Sequence, residues 1–237
     1  TPIVTGLHQD DLQTRLNKQR RKNFYSCHFN LQSTRTSNPS IYGLLDTSRA
    51  LGLNTGAQYR RSLHPRLFLT LGVQFSRQRE ELTPFFANRR NVSADAGIAG
   101  NNQDAANWGP PALNFASGVT NLTSPQYNLT RNQTAAYTAD GFYNRGSHNL
   151  TFGAAHRRQQ FNVLSQQDAR GAFAFTGAAA ANDLAGFLLG IPDASSIAYG
   201  NADKYLRATI HEAFLNDDWR VNPGLTINYG VRYDYWS

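Results

Sequence analysis

The sequence predicts an all-β protein: a segment of an antiparallel transmembrane β-barrel with about eight long strands, three long extracellular loops and an incomplete perimeter. Three observations predict this fold. Apolar and polar residues alternate with a period of two, the alternating segments are long, and short and long connections follow each other in turn. The 237 residues contain no apolar run long enough for a transmembrane helix, and 19 Gly and 9 Pro leave no long helical pattern.

Eight segments carry the alternation that gives a strand one apolar and one polar face. The pattern is clearest at residues 67–75 and 225–235, where every second residue is apolar. The predicted strands cover residues 7–16, 22–32, 51–61, 67–79, 130–144, 149–161, 204–220 and 225–237. The seventh strand has no clear face, because Glu212 interrupts its apolar series. That series is Leu206, Ala208, Ile210 and Phe214.

The connections between the predicted strands alternate in length. Four are short and contain turn residues such as Pro65, Gly146 and Pro223. They cover residues 17–21, 62–66, 145–148 and 221–224, and the three long ones cover 33–50, 80–129 and 162–203. Outer-membrane barrels have short periplasmic turns and longer extracellular loops, whereas loops of more than about 15 residues are uncommon in compact soluble domains.

Strand length favours a membrane wall over a soluble sheet. Most of the predicted strands have 11 residues or more, whereas soluble strands have about 5–6 and a tilted strand needs about 9–11 to cross a bilayer. The apolar face is then expected to contact lipid and the polar face to line the lumen. Five glycines lie on the expected lumen face: Gly52, Gly56, Gly72, Gly153 and Gly230. The alternative is a soluble antiparallel sandwich whose core is the apolar face.

Aromatic residues lie where the girdles of transmembrane barrels occur. Two girdles are expected, one just before the short turns and one toward the opposite strand ends. They are Tyr59, Tyr143 and Trp219 for the first, and Phe75, Phe161 and Tyr235 for the second.

The order of turns and loops argues against a complete barrel. If the short turns face the periplasm, the first strand descends from outside and the last one ascends to it. This gives four turns and three outer loops, whereas a free-standing small barrel has the opposite count. We therefore expect residues 1–237 to be part of one larger barrel domain, with two unpaired edges.

The net charge of +7 comes almost entirely from arginine. Nucleic acid is the ordinary partner of such a charge. However, the one basic cluster, at residues 15–22, falls on a predicted periplasmic turn. We interpret it as a solvated turn and expect no nucleic-acid partner.

The second and third long loops carry the candidates for ligand contact. Arg89 and Arg90 could meet lipopolysaccharide phosphates or another anionic ligand, because arginine pairs with such groups bidentately. The same loop contains the aromatic residues Phe85, Phe86, Trp108 and Phe115, which suit ligand capture. In the third loop, residues 184–189 predict a short helix, with Asn182 as its N-cap and Gly190 as its stop.

No catalytic or metal-binding pattern is present. The sequence has no glycine-rich phosphate loop, no G-x-S-x-G and no H-E-x-x-H motif. Cys27 is the single cysteine, and the adjacent His211 and Glu212 would point to opposite faces of a strand. We therefore expect no enzyme activity, no cofactor and no metal.

The stretch NDDWRVNPGLTINYGVRYDYW, residues 216–236, resembles a hairpin shared by TonB-dependent outer-membrane receptors. Other stretches resemble the Oar-like branch of these receptors, whose members often carry a carboxypeptidase-regulatory-like domain. They are NPSIYGLLDTSRALGLN (38–54), NWGPPALNF (107–115), RNQT (131–134), RGSHNLTFGAAHRRQQ (145–160) and DLAGFLLGIPDASSIAYGN (183–201). Together they cover nearly the whole chain from Leu7 onward.

The resemblance implies a barrel of about 22 strands around an N-terminal plug, with import driven through TonB. It also implies a Gram-negative outer-membrane location and three partners: membrane lipid, lipopolysaccharide and, through an N-terminal part outside this chain, the TonB complex. The 237 residues carry neither plug, TonB box nor closing C-terminal strand. We therefore predict that the chain forms the wall and the extracellular loops of part of a receptor that takes up or translocates a substrate. The alternatives are a plugless outer-membrane channel or adhesin barrel and a soluble β-sandwich binding module.

Overall fold

The computed structural model describes residues 4–40, 43–198, 200 and 202–237. Eight long strands follow one another in a single antiparallel sheet, which we call the wall, and three short strands form a second sheet. The elements are β1 (Gly6–Arg20), β2 (Asn23–Pro39), β3 (Leu45–His64), β4 (Leu67–Thr83), α1 (Val92–Asp95), a 3-10 turn (Ala105–Asn107), β5 (Ala112–Phe115), β6 (Asn128–Arg145), β7 (His148–Ser165), β8 (Ala172–Phe175), α2 (Asp183–Leu189), β9 (Ala194–Ser196), β10 (Asp203–Asn222) and β11 (Leu225–Trp236).

All eight predicted long strands are confirmed, and a short turn joins each of the four predicted hairpins. Each turn is tighter than predicted because the strands continue into it; residues 17–20, for example, belong to β1. The order across the wall is β1-β2-β3-β4-β6-β7-β10-β11, so each strand pairs with the previous wall strand in the chain. The end strands β1 and β11 pair with no further strand among the described residues. The perimeter is therefore open, which agrees with the expectation of an incomplete barrel.

The inner face of the wall is polar. The register places all five predicted lumen glycines on this face; Gly52 lies opposite Gln32, and Gly72 opposite Thr138. A groove of about 630 Å³ runs along it over four strands. Amide and hydroxyl side chains line most of the groove, including those of Asn30, Gln32, Thr34, Asn54, Ser76, Gln78, Asn132 and Thr134.

The outer face of the wall is apolar and uncovered. Leu71 and Val73 of β4 are about half exposed, and Tyr233 of β11 is 65% exposed. Among the described residues no second layer of strands or helices packs on this face. A soluble sandwich requires this face to be its core, so the sandwich alternative is wrong.

The face of β10 follows from its register. Ile210 lies opposite Arg157, and Phe214 lies opposite Gly153, so both belong to the inner face together with Glu212. The ring of Phe214 occupies the space over Gly153, where an added Cβ would come within 2.6 Å of it. The apolar series that Glu212 interrupts therefore packs on inner-face neighbours, and the lipid-facing residues of β10 are the alternate ones.

One predicted long loop is wrong. Residues 33–50 are mostly strand, because β2 continues to Pro39 and β3 begins at Leu45, with Thr34 paired to Ala50. The alternation of apolar and polar residues is lost over residues 33–39, but threonine suits a strand, and each of these seven residues has a partner across the hairpin. The other two long connections remain outside the wall and cover residues 84–127 and 166–202. Both described helices are short, and neither has the length and apolarity needed to cross a bilayer.

Candidate functional site

The two long connections fold together into one body, which we call the loop unit (residues 84–127 and 166–198). Strand β5 from the first connection pairs in parallel with β8 from the second, and β9 pairs with the other edge of β8. Both connections leave the wall at the strand ends opposite the short turns, so the loop unit lies at that end of the sheet. This end of the wall therefore carries a folded structure built from both connections.

An aromatic cluster packs on the small sheet. Phe115 of β5 stacks on Phe175 of β8 with ring centroids 5.6 Å apart, and Phe187 of α2 meets both rings edge-on at 5.6 Å. The helix α2 has the predicted position: Asn182 accepts a hydrogen bond from the Ala185 N–H, and Gly190 ends the helix at φ +70°. The helix therefore packs its Phe187 side onto the sheet.

Buried polar groups join the two connections. The Ser93 hydroxyl, fully buried, lies within hydrogen-bond distance of the Gly109 carbonyl (2.8 Å) and of the Arg170 carbonyl in the second connection (3.2 Å). The Arg170 guanidinium, 6% exposed, donates to the carbonyls of Ser124 (2.9 Å) and Pro125 (2.7 Å). Burial lowers the pKa of Arg170. These two hydrogen bonds to carbonyl oxygens replace bonds to water that the guanidinium loses on burial, which offsets part of the cost of burying it.

Two aspartates fix loop backbone. Asp183, 2% exposed, accepts bonds from the hydroxyl and the backbone N–H of Ser117, both at 2.7 Å. These bonds hold the pKa of the Asp183 carboxyl below its ordinary value. Asp193 accepts from the Thr176 backbone and hydroxyl and from Ala179 N–H, and these donors lower the pKa of Asp193 in the same way.

Three of the predicted ligand-contact residues come together. Phe85 and Phe86 meet edge-to-face with centroids 5.1 Å apart, and the Arg89 guanidinium lies 4.8 Å from the Phe85 ring centroid. The Phe85 N–H also donates to Asp46 on the end of β3, which ties this cluster to the wall. Arg89 is exposed, so its charge is presented at the surface on an aromatic support.

The other three predicted residues lie elsewhere in the loop unit. Arg90 pairs with Asp95 at 2.8 Å. The Trp108 indole donates to the Gln103 carbonyl at 3.0 Å, and Phe115 belongs to the aromatic cluster already described. The six residues therefore do not line a single pocket, and ligand contact by them stays a prediction. Sequence reasoning missed Arg170 and Asp183, whose partners lie 46 and 66 residues away in the chain.

The predicted aromatic girdle has one misplaced member. Tyr59, Tyr143, Trp219, Phe75 and Tyr235 share the outer face. Phe161 lies opposite Asn132 and Leu206, on the inner face. Its assignment to a lipid-facing girdle must be corrected, because the period of two places it one residue out of phase.

Two histidine contacts occur on the outer face. His148 bonds the Asp217 carboxylate at 2.6 Å and stacks on Trp219, and Tyr229 donates to the same carboxylate at 2.8 Å. His156 and His211 place their Nδ1 atoms 3.4 Å apart. Among the described residues, no three His, Cys, Asp or Glu side chains converge as metal ligands would.

A long-stranded wall with an apolar outer face, a polar inner face and folded loops at one end defines part of an outer-membrane β-barrel. The chain belongs to the family described as outer membrane beta barrel domain, which it matches over residues 5–237. Its location is therefore the bacterial outer membrane.

Among solved structures, the chain is similar to the outer membrane transporter YddB from Escherichia coli, with a TM-score of 0.59 at 10% sequence identity. The match covers 98% of this chain and 28% of the YddB chain. The likeness shows a shared fold. This chain spans less than a third of the transporter's length. No curated protein sequence matches this chain.

Proposed function

We propose that the chain forms wall and extracellular loops of a TonB-dependent outer-membrane receptor of the Oar-like branch, which takes up a substrate or moves it across the outer membrane. The wall separates lipid from a polar pore, and the loop unit binds the substrate at the mouth. The TonB complex acts on a part of the protein outside this chain. The segment carries out no covalent reaction and needs no cofactor.

One observation carries the proposal: the two long connections form a single folded unit, opposite the short turns, on a wall with a polar inner face. Receptors need a shaped outer surface, because recognition precedes transport. The loop unit supplies such a surface, on which the exposed Arg89 is supported by the Phe85 ring. The likeness to an outer membrane transporter supports the same function.

The test uses the complete gene product, purified in detergent. Its conductance is measured in a planar bilayer, and its binding to the periplasmic domain of TonB is measured by pull-down and calorimetry. We expect a closed pore and specific TonB binding, because a plug fills the barrel of such receptors.

The other results overturn the proposal. A permanently open pore with no TonB binding would identify a plugless channel. A closed pore with no TonB binding would identify an adhesin or a structural barrel. Reading the gene on both sides of this segment for a plug and a TonB box is the independent control.

A further inference from the structure

Seven exposed arginines share the outer face of the wall. They occupy six neighbouring strands, and the register places all of them on the side that carries Leu71 and Val73. They are Arg35 on β2, Arg49 on β3, Arg77 and Arg79 on β4, Arg131 on β6, Arg158 on β7 and Arg207 on β10. We call this set the arginine belt.

The belt arginines lie 11 to 16 residues from the short turns. Arg158 is the eleventh residue after the turn residue Ser147, and Arg207 is the sixteenth before Pro223; the other five fall between these limits. Strands that rise about 3.3 Å per residue at a tilt of about 40° gain about 2.5 Å of height per residue. The belt is therefore about 28–40 Å above the turns, just beyond an apolar band about 25 Å tall.

The arginines do not lie on one ladder row. Arg158 is in the row of Thr55, whereas Arg49 is six residues beyond Thr55 on the same strand. The turns themselves are staggered across the sheet, as tilted strands require. Two pairs of belt residues do share a row: Arg35 lies opposite Arg49, and Arg79 lies opposite Arg131.

On the outer face, charge is concentrated at the two ends of the strands: Lys18, Arg20, Arg61 and Arg145 lie beside the short turns, and the belt lies toward the opposite end. Five to ten residues from the turns, the outer face of the eight strands carries one charged side chain, Asp217. At the belt's own height, the inner face of the same six strands carries no Arg or Lys. A solvated rim would carry cations on both faces.

Most of the belt lacks a carboxylate partner. In the described part of the chain, Arg79 pairs with Glu81 at 2.8 Å, and it is the one belt residue with a carboxylate within ion-pair distance. Arg207 donates to the Asn162 amide oxygen at 2.6 Å. Cations at the edge of hydrocarbon need an anion, and a guanidinium fits a phosphate bidentately.

We propose that the arginine belt binds the phosphate groups of the outer-leaflet glycolipid, lipopolysaccharide. This ligand presents phosphates at the boundary between acyl chains and sugars, which is the height of the belt. The site is separate from Arg89 and Arg90 of the loop unit. The inference rests on the outer-membrane location and does not depend on the proposed transport function.

The test compares two triple variants of the complete gene product with the same change in net charge. In the belt variant, Arg77, Arg131 and Arg158 are changed to Gln. In the control, the inner-face residues Arg15, Arg60 and Arg157 are changed to Gln. Arg157 and Arg158 are neighbours in the chain but lie on opposite faces of the wall. Lipid A with two phosphates is titrated into each protein, and binding is measured by native mass spectrometry.

We expect the belt variant to bind lipid A at least about tenfold more weakly and the control to change less than about twofold. Lipid A without phosphates should not distinguish wild type from the belt variant. Folding of each variant is checked by heat-modifiable gel mobility. If the triple variant does not fold, Arg158→Gln is compared alone with Arg157→Gln, with an expected loss of about threefold against no change.

Three results would overturn the proposal. Equal losses of lipid A affinity in both triple variants would mean that binding depends on net charge alone. Inorganic phosphate competing as effectively as lipid A would mean a free-anion site. Unchanged lipid A binding together with loss of a co-purifying protein would mean that the belt is a protein contact.

Discussion

In the wall, β6 and β7 pair along their whole length, from Asn128 with Ser165 to Arg145 with His148. In the loop unit, β5 and β8 share four residue pairs, and the rest of the contact depends on single side chains such as Arg170 and Asp183. The wall repeats one weak interaction many times, whereas the loop unit concentrates its stability in a few buried groups. The effect of a substitution on stability should therefore depend on which face it lies on in the wall. In the loop unit it should depend on which individual residue is changed.

The largest expected effect comes from a charge on the lipid-facing side of the wall. Leu71 lies five residues from the turn residue Arg66, about 12 Å above it at the expected tilt. Leu71→Arg should destabilise the complete protein by about 2–4 kcal/mol, the cost of arginine near the bilayer midplane. Urea unfolding in lipid vesicles measures this change.

The matched control is the neighbouring residue Thr70, which lies on the inner face opposite Asp140. Thr70→Arg should change the free energy of unfolding by less than about 1 kcal/mol, because the new cation is solvated and has an acid beside it. Equal costs for the two variants would contradict the assignment of the faces.

The second effect is confined to the loop unit. Arg170→Met should remove the two hydrogen bonds from the buried guanidinium to the carbonyls of Ser124 and Pro125, at a cost of about 1–3 kcal/mol. We expect faster hydrogen exchange in β5 and β8 and unchanged exchange in β6 and β7. Exchange measured by mass spectrometry on the complete protein separates the two regions.

Arg90→Met is the control for this experiment. Arg90 is exposed and pairs with Asp95 at the surface, so its loss should cost less than about 1 kcal/mol. If Arg170→Met accelerated exchange throughout the wall, the two regions would unfold as one, and the comparison between them would be wrong.

The same difference explains what could be predicted from the sequence. The period of two identifies all eight wall strands and the faces of Leu71 and Gly72. This works because the polarity of each side chain matches the face on which it lies, independently of distant residues. The error at Phe161 came from its aromatic character and not from the period, since a large ring can fill space on the polar face as well as face lipid. No such alternation marks residues 33–39, so the prediction ended the strand before them, although Thr34 pairs with Ala50.

In the loop unit, the sequence predicted the helix α2, because its cap Asn182 and stop Gly190 are local signals. It did not predict the pairing of β5 with β8, nor the contact of Ser117 with Asp183. These contacts join segments more than fifty residues apart and leave no periodic pattern. Aromatic content indicated Phe85 and Phe115 as ligand contacts, but it could not separate an exposed cluster from a packed one.

The smallest expected effect depends on pH. The bonds from Ser117 lower the pKa of Asp183 in the folded loop unit, whereas the unfolded value is about 3.9. A lowered folded pKa stabilises the loop unit above the unfolded pKa, and this contribution is lost as the pH falls through the folded pKa. Loop order should therefore decrease below about pH 4, with Trp108 fluorescence as the probe and a Trp108→Phe protein to subtract the other tryptophans.

Asp183→Asn should remove this pH dependence, because the amide does not titrate, and should loosen the loop unit already at pH 7. Asp104→Asn is the control, since the Asp104 side chain does not cap the 3-10 turn that it precedes. Asp193 has similar donors and a lowered pKa, so part of the acid sensitivity should persist in Asp183→Asn and disappear when Asp193→Asn is added. An acid transition that is unchanged in the double variant would place the sensitive group in the wall, and the loop unit would then not be the separately stabilised region.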